Sequence, residues 1–210
     1  MGANDGIVST ASLIIGVAAA GLAPTTILLS GLAGLVAGAM SMAAGEYVSV
    51  SSQADIERAD LDQEKQSLRE NENFERTELS ALYQERGVSP ELADRVAAEL
   101  MAYDALSAHA HDELGISNTS HPRPVQAALS SAATFAVGAA LPLGTVVLSP
   151  ASIFIPFVGG MSLLFLAALG ALAAHVGGAP RVRGAVRVTF WGAAAMIATA
   201  LVGSLFGVMT

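Results

Sequence analysis

The sequence predicts an all-α membrane protein of five transmembrane helices, with a polar helical domain inserted between helices 2 and 3. Three observations lead there. Of the 210 residues, 53% are hydrophobic and only 13% charged, and the mean hydropathy of +0.56 is high for a water-soluble domain of this size. Five stretches are apolar over about 20 residues, the length that spans roughly 30 Å of hydrocarbon as a helix. The charge is also segregated. Between Glu46 and Arg123 lie 17 of the 18 acids and seven of the ten bases, a net −10 out of a chain total of −8, while the remaining 132 residues keep only Asp5, Arg181, Arg183 and Arg187.

The first apolar stretch runs from about Gly2 to Ala20 and the second, after the turn signal Gly21 to Thr25, from about Thr26 to Val50. No Lys or Arg precedes Arg58, so the first stretch reads as a retained helix rather than a cleaved signal peptide. The polar block from Ser51 to His121 reads as helical: Gln53 to Gln84 as one long or once-broken helix, then Pro90 to Glu113. Between these two, Gly87-Val88-Ser89-Pro90 supplies a stop followed by an N-cap and a first-turn proline. Leu92, Val96, Leu100 and Tyr103 recur at spacings of three and four and give the second of these helices an apolar stripe, through which the block can fold on itself or pair with a second copy. The third, fourth and fifth spans are about Val125 to Leu148, Ile153 to Val176 and Ala185 to Met209, joined by Ser149-Pro150 and Gly177-Gly178-Ala179-Pro180. Small residues at helical spacing, such as Ser30, Gly34 and Gly38 or Gly159, Gly160, Gly170 and Ala174, read as close helix packing. Pro142 and Pro156 read as kinks or helix ends. The domains expected are thus 1–50, 51–122 and 123–210.

Basic residues flank helices 2 and 3 and the link between helices 4 and 5, and the other two loops have none. A polar block on the cytoplasmic side, with the N-terminus inside and the C-terminus outside, satisfies that distribution. An acidic block disfavours nucleic acid as a partner. Without cysteine there is neither a disulfide framework nor a thiolate metal site.

Glu57, Asp60, Glu64, Glu75 and Glu78 would fall within an arc of about 60° on a continuous helix. Such an arrangement is either a solvated charge face or an oxygen-ligand surface for divalent cations. Like charges at this spacing repel, and a bound cation would relieve them. His109 and Glu113, four residues apart, can share a metal. His111, His121 and His175 carry less, His121 as loop and His175 as a side chain reaching the interface. Asp5, at the start of the first span, is an ionisable residue in or near the membrane and hence a candidate for an ion path. Met40 and Met42, near Glu46 on the second span, offer thioethers, soft ligands that with a carboxylate favour a transition metal; packing is the alternative role. No phosphate-binding loop, aspartyl-phosphate motif or nucleophile, base and acid set is present. Transport by this chain would therefore draw on an ion gradient rather than ATP.

The residues Asn4-Asp5-Gly6-Ile7-Val8-Ser9-Thr10, Met40-Ser41-Met42-Ala43-Ala44-Gly45-Glu46-Tyr47, Gln53-Ala54-Asp55-Ile56-Glu57 and Asp112-Glu113-Leu114-Gly115-Ile116 resemble, in order and over essentially the whole chain, the vacuolar iron transporter family. That resemblance implies a homodimer of five-helix subunits, a metal/proton antiporter rather than an enzyme, exporting Fe²⁺, and also Mn²⁺ or other divalents, from the cytosol. It implies that Asp5 and Met42 line the ion path between protomers and that Glu64, Glu75, Glu78 and Glu113 form a cytoplasmic metal-collecting site. No prosthetic group is implied; Fe²⁺, or Mn²⁺, Zn²⁺ or Co²⁺, is the bound substrate. The host membrane would be the plasma membrane in a bacterium and the vacuolar membrane in a eukaryote.

Three departures from the family pattern stand out. Ser67 replaces a common glutamate, implying fewer bound ions, and His109 stands where some members have methionine. The chain also begins almost at the Asn-Asp-Gly motif, where relatives carry an amphipathic lead-in. Either the lead-in is lacking or the start codon is placed late. Two other readings fit the residues: a membrane-anchored, ferritin-like iron-binding oxidase, although Glu75-Arg76-Thr77-Glu78 lacks the histidine of a Glu-x-x-His site, and a non-transporting acidic scaffold.

Overall fold

A computed structural model describes residues 2–116 and 122–209; His121 lies outside them. The helices are α1 Gly2–Ala19, α2 Pro24–Glu70, α3 Glu72–Glu85, α4 Pro90–Asp112, α5 Pro124–Leu148, α6 Phe154–Val176 and α7 Arg181–Met209, with a 3₁₀ turn at Ala151–Ile153 before α6. Five of them, α1, α2, α5, α6 and α7, are long and apolar enough to cross a membrane.

Two helices run past the expected bounds. α2 continues beyond Val50 to Glu70, because from Glu46 to Arg86 the chain holds neither glycine nor proline to stop it. The break comes at Asn71, whose backbone (φ −152°, ψ 63°) leaves the helix while its carbonyl accepts the Phe74 and Glu75 amides that start α3. α7 begins at Arg181, directly after Pro180, rather than at Ala185.

The chain forms two compact units, Met1–Tyr47 with Val125–Thr210, and Val48–Pro124. In the first, α1 packs on α6 and α7, and α6 on α7. Ile14, Ile15, Ile27, Val158 and Met196, from four helices, make its core. Small residues set the spacing: a Cβ on Gly6 would strike the Phe135 backbone, and one on Gly138 the backbone of Ala3. Pro142 sits inside α5, where the Thr145 hydroxyl donates to its carbonyl at 2.7 Å. Pro156 lies in the first turn of α6, where a missing N–H costs nothing.

In the second unit α3 ends in a Schellman turn. Gly87 takes φ +92°, its amide bonds the Gln84 carbonyl at 2.9 Å, and the Val88 amide bonds that of Tyr83 at 3.1 Å. Pro90 opens α4 after Ser89, whose side chain makes no cap bond.

α4 differs from expectation in two respects. Of the expected stripe, Leu100 packs against the core and Val96 is half-buried, but Leu92 is exposed and Tyr103 is 92% exposed, and the fully buried residues are Ala93 and Ala97. Alanines win that face because α3 can approach them closely enough for Leu79, also fully buried, to reach in. The helix is also two pieces. Asp104 (φ −160°, ψ 91°) leaves helical geometry and its Oδ1 accepts the Ser107 amide at 3.0 Å, acting as N-cap for the second piece. Ala97 and Ala108 would stand about 16 Å apart on a straight helix, yet both join Leu79 in one core cluster.

Candidate metal centre

Three helical segments of the second unit converge on one point. α2 supplies Glu64, α3 supplies Glu75, and the piece of α4 beyond Asp104 supplies His109 and Glu113, the latter at its C-cap. One ligand atom from each of the four lies within 4.8 Å of the others. His109 Nδ1 stands 3.2 Å from Glu64 Oε1 and 3.0 Å from Glu113 Oε2. Glu64 and Glu75 are 7% and 6% exposed and His109 is wholly enclosed, with Glu113 the open member. The apolar core of the same unit is Leu79, Ala97 and Ala108, with Leu82, Tyr83, Leu100 and Met101 packed against it.

Charge in this place is expensive. Burial pushes the Glu64 carboxyl above the ordinary carboxylate range. Glu113, Glu75 and Glu78 push it the same way, against the pull of His109. Glu75 is raised likewise, first by burial and then by Glu78 and Glu113, again against His109. His109 Nε2 and Glu64 Oε1 are buried without a hydrogen-bond partner. Enclosed carboxylates held close together, with one imidazole, form a mixed oxygen and nitrogen donor set suited to first-row divalent ions such as Fe²⁺, Mn²⁺, Co²⁺ or Zn²⁺.

The remaining expected ligands stand outside this group of four. Glu78 is half-buried one turn beyond Glu75, near enough to shift both Glu64 and Glu75. Glu57 and Asp60 are half-buried on α2, Glu57 accepting from Gln53 Nε2 at 3.0 Å. The single carboxylate face from Glu57 to Glu78 does not exist, because the break at Asn71 gives Glu75 and Glu78 an axis of their own.

A clasp that the sequence did not announce steadies the second piece of α4. Asp112 accepts the Tyr83 hydroxyl at 2.5 Å and Arg86 Nη1 at 2.9 Å, while Arg86 Nη2 also reaches the Asp112 carbonyl oxygen at 3.1 Å. Burial raises the Asp112 carboxyl, but hydrogen bonds from Tyr83, Arg86 and His111 outweigh it and hold the group below the usual range.

In the first unit, Asp5 and Met42 line one cleft of about 240 Å³ together with Ser9, Thr10 and Leu13 of α1, Gly34, Gly38 and Ser41 of α2, and Phe135 of α5. The Thr10 hydroxyl is buried and unpartnered. Met40, 67% exposed, and Glu46, also exposed, are not among the lining residues.

The five spans and the enclosed carboxylate and imidazole cluster define a multi-pass membrane protein with a candidate divalent-metal centre outside its apolar segments. The sequence model of the VIT family matches residues 1–204. A vacuolar iron transporter of Acanthamoeba castellanii is 48% identical over 206 residues, 98% of this chain and 76% of that protein. Vacuolar iron transporter homolog 1 of Oryza sativa subsp. japonica is 38% identical, covering 99% and 72%, and homolog 2.1 of Arabidopsis thaliana 36%, covering 95% and 75%. The chain belongs to the vacuolar iron transporter family.

Proposed function

We propose that the protein exports Fe²⁺, and with it Mn²⁺ and related divalents, from the cytosol in exchange for protons, as a homodimer of five-helix subunits. Its membrane is the vacuolar one in a eukaryote and the plasma membrane in a bacterium. The observation that carries this reading is the convergence of Glu64, Glu75, His109 and Glu113 within 4.8 Å. It gains support from the printed name of the 48% identical relative, an iron transporter. In this reading the cluster, with Glu78, Glu57 and Asp60 on its approaches, collects cations on the cytoplasmic side. Protonation of Glu64 and Glu75 competes with metal for the same oxygen lone pairs, so acid favours release.

The cleft supplies the path. Asp5 alternates between metal and proton, the Ser9, Thr10 and Ser41 hydroxyls replace part of the hydration shell, and the Met42 thioether favours Fe²⁺ over harder Mg²⁺ or Ca²⁺. Met40 and Glu46 complete the approach to that path from α2.

The test is Fe²⁺ uptake into proteoliposomes under reducing conditions, with and without an imposed proton gradient. Asp5→Ala should abolish uptake, and Glu64→Gln with Glu75→Gln should raise the concentration needed for half-maximal rate. Undiminished uptake by Asp5→Ala would overturn the path, and uptake indifferent to the gradient would overturn the coupling.

A further inference from the structure

We infer that the exposed start of α7 is a binding site for the headgroup of an anionic phospholipid, held by Arg183 and Arg187 with Trp191 and Phe190 beneath them.

Arg183, Arg187, Phe190 and Trp191 fall within an arc of about 100° and about 12 Å of helix. All four are exposed, Phe190 by 63% and Trp191 by 67%, as are Val182 and Val186 alongside. The packed side of α7 centres on Gly192, about 150° round the helix from the middle of the strip, where a Cβ would meet Leu166; a Cβ on Gly184, at the strip's edge, would meet Gly170 and Ala174. The four strip residues themselves remain exposed.

Two cations one turn apart on one helix repel, and among the described residues no carboxylate pairs with Arg183 or Arg187. Arg181 has another task, as its Nη2 donates to His175 Nδ1 at 3.1 Å across the turn that joins α6 to α7. Phe190 and Trp191 stack edge to face with centroids 5.5 Å apart, a pair suited to the boundary between headgroups and acyl chains. A guanidinium pair one to two turns above such an aromatic anchor stands at headgroup depth, where its bidentate donors match phosphate. An apolar flank of Val182, Val186 and Phe190 beside the two cations fits a lipid better than a free phosphate. The proposal is independent of the transport reading.

Trp191 is the only tryptophan in the chain, so its emission reports on this strip alone. The full-length protein is reconstituted in vesicles of phosphatidylcholine with increasing fractions of brominated phosphatidylserine or brominated phosphatidylcholine. The anionic lipid should quench Trp191 with an apparent affinity about fivefold higher, the factor expected from one guanidinium at an anionic surface. That preference should vanish in Arg183→Gln/Arg187→Gln and survive in Arg183→Lys/Arg187→Lys. Equal quenching by both lipids in the unaltered protein, or an undiminished preference in the double glutamine variant, overturns the site. Loss of the preference on adding millimolar inorganic phosphate, at matched ionic strength in chloride, would overturn it in favour of a free-phosphate site.

Discussion

Tyr83 and Asp112, 29 residues apart, are joined by a hydrogen bond of 2.5 Å that fixes the end of α4 against α3. His109 and Glu113 lie on either side of Asp112 in sequence, so this bond holds two candidate ligands in place without itself binding metal. Tyr83→Phe removes one donor from a carboxylate that keeps Arg86. We expect a loss of about 1 kcal/mol in stability and a Co²⁺ affinity lowered less than by removal of a ligand. Denaturant melts and cobalt titration of the detergent-solubilised protein check both. An affinity unchanged in the face of the stability loss would separate the clasp from the metal site.

His109 is the sole imidazole of the cluster. His109→Ala leaves three carboxylates with no partner of opposite tendency, and Zn²⁺ affinity should fall at least about tenfold. His109→Met restores a ligand, but a soft one, so it should weaken binding of a hard ion such as Mn²⁺ more than that of Cu⁺. Competition against a fluorescent chelator gives each number.

The carboxylates also set a pH dependence. Glu64 and Glu75 are raised in the folded protein, by burial first, so their protonated forms stabilise the metal-free fold. That contribution is full below the unfolded value near 4.3 and is lost as pH rises through the raised folded values. Asp112 has the opposite sign: its contribution is present above the unfolded value near 3.9 and lost only as pH falls through its lowered one. In EDTA the second unit should therefore melt at a higher temperature near pH 5 than near pH 7.5. Glu64→Gln should flatten that slope, and saturating metal should reverse it. A melting point that rises with pH equally in both proteins would count against strained carboxylates.

Two glycines of α5 separate packing from helix propensity. A Cβ on Gly138 would run into the backbone of Ala3, whereas one on Gly144 meets nothing within 4 Å. Gly138→Ala should cost about 1–3 kcal/mol and lower the melting temperature of the purified protein. Gly144→Ala should leave it unchanged or slightly raised. Equal effects would mean that α1 and α5 do not approach as described.

The spans were legible because lipid imposes a length of apolar residues that little else in a sequence imitates. Of the two forms the sequence allowed for the long polar helix, one long or once broken, the structure takes the broken one, at Asn71, where neither glycine nor proline marks the place. The i, i+4 spacing exposed the pairing of His109 with Glu113. Other features left no local trace. The turn at Asp104 carries neither glycine nor proline, and its cause is a side-chain bond to Ser107. Large residues at Leu92 and Tyr103 outweighed Ala93 and Ala97 in the pattern, although small residues are what close packing on α3 demands. The bonds of Tyr83 and Arg86 to Asp112 cross 29 and 26 residues, a separation at which periodicity is silent.

The interruption at Asp104 divides the duties of α4. Residues 90–103 pack on Leu79 through Ala97, whereas residues 105–113 reach the same core through Ala108 and also carry His109 and Glu113. A substitution of Glu113, the open member of the cluster, should therefore disturb the packed contacts less than one of His109, which is wholly enclosed.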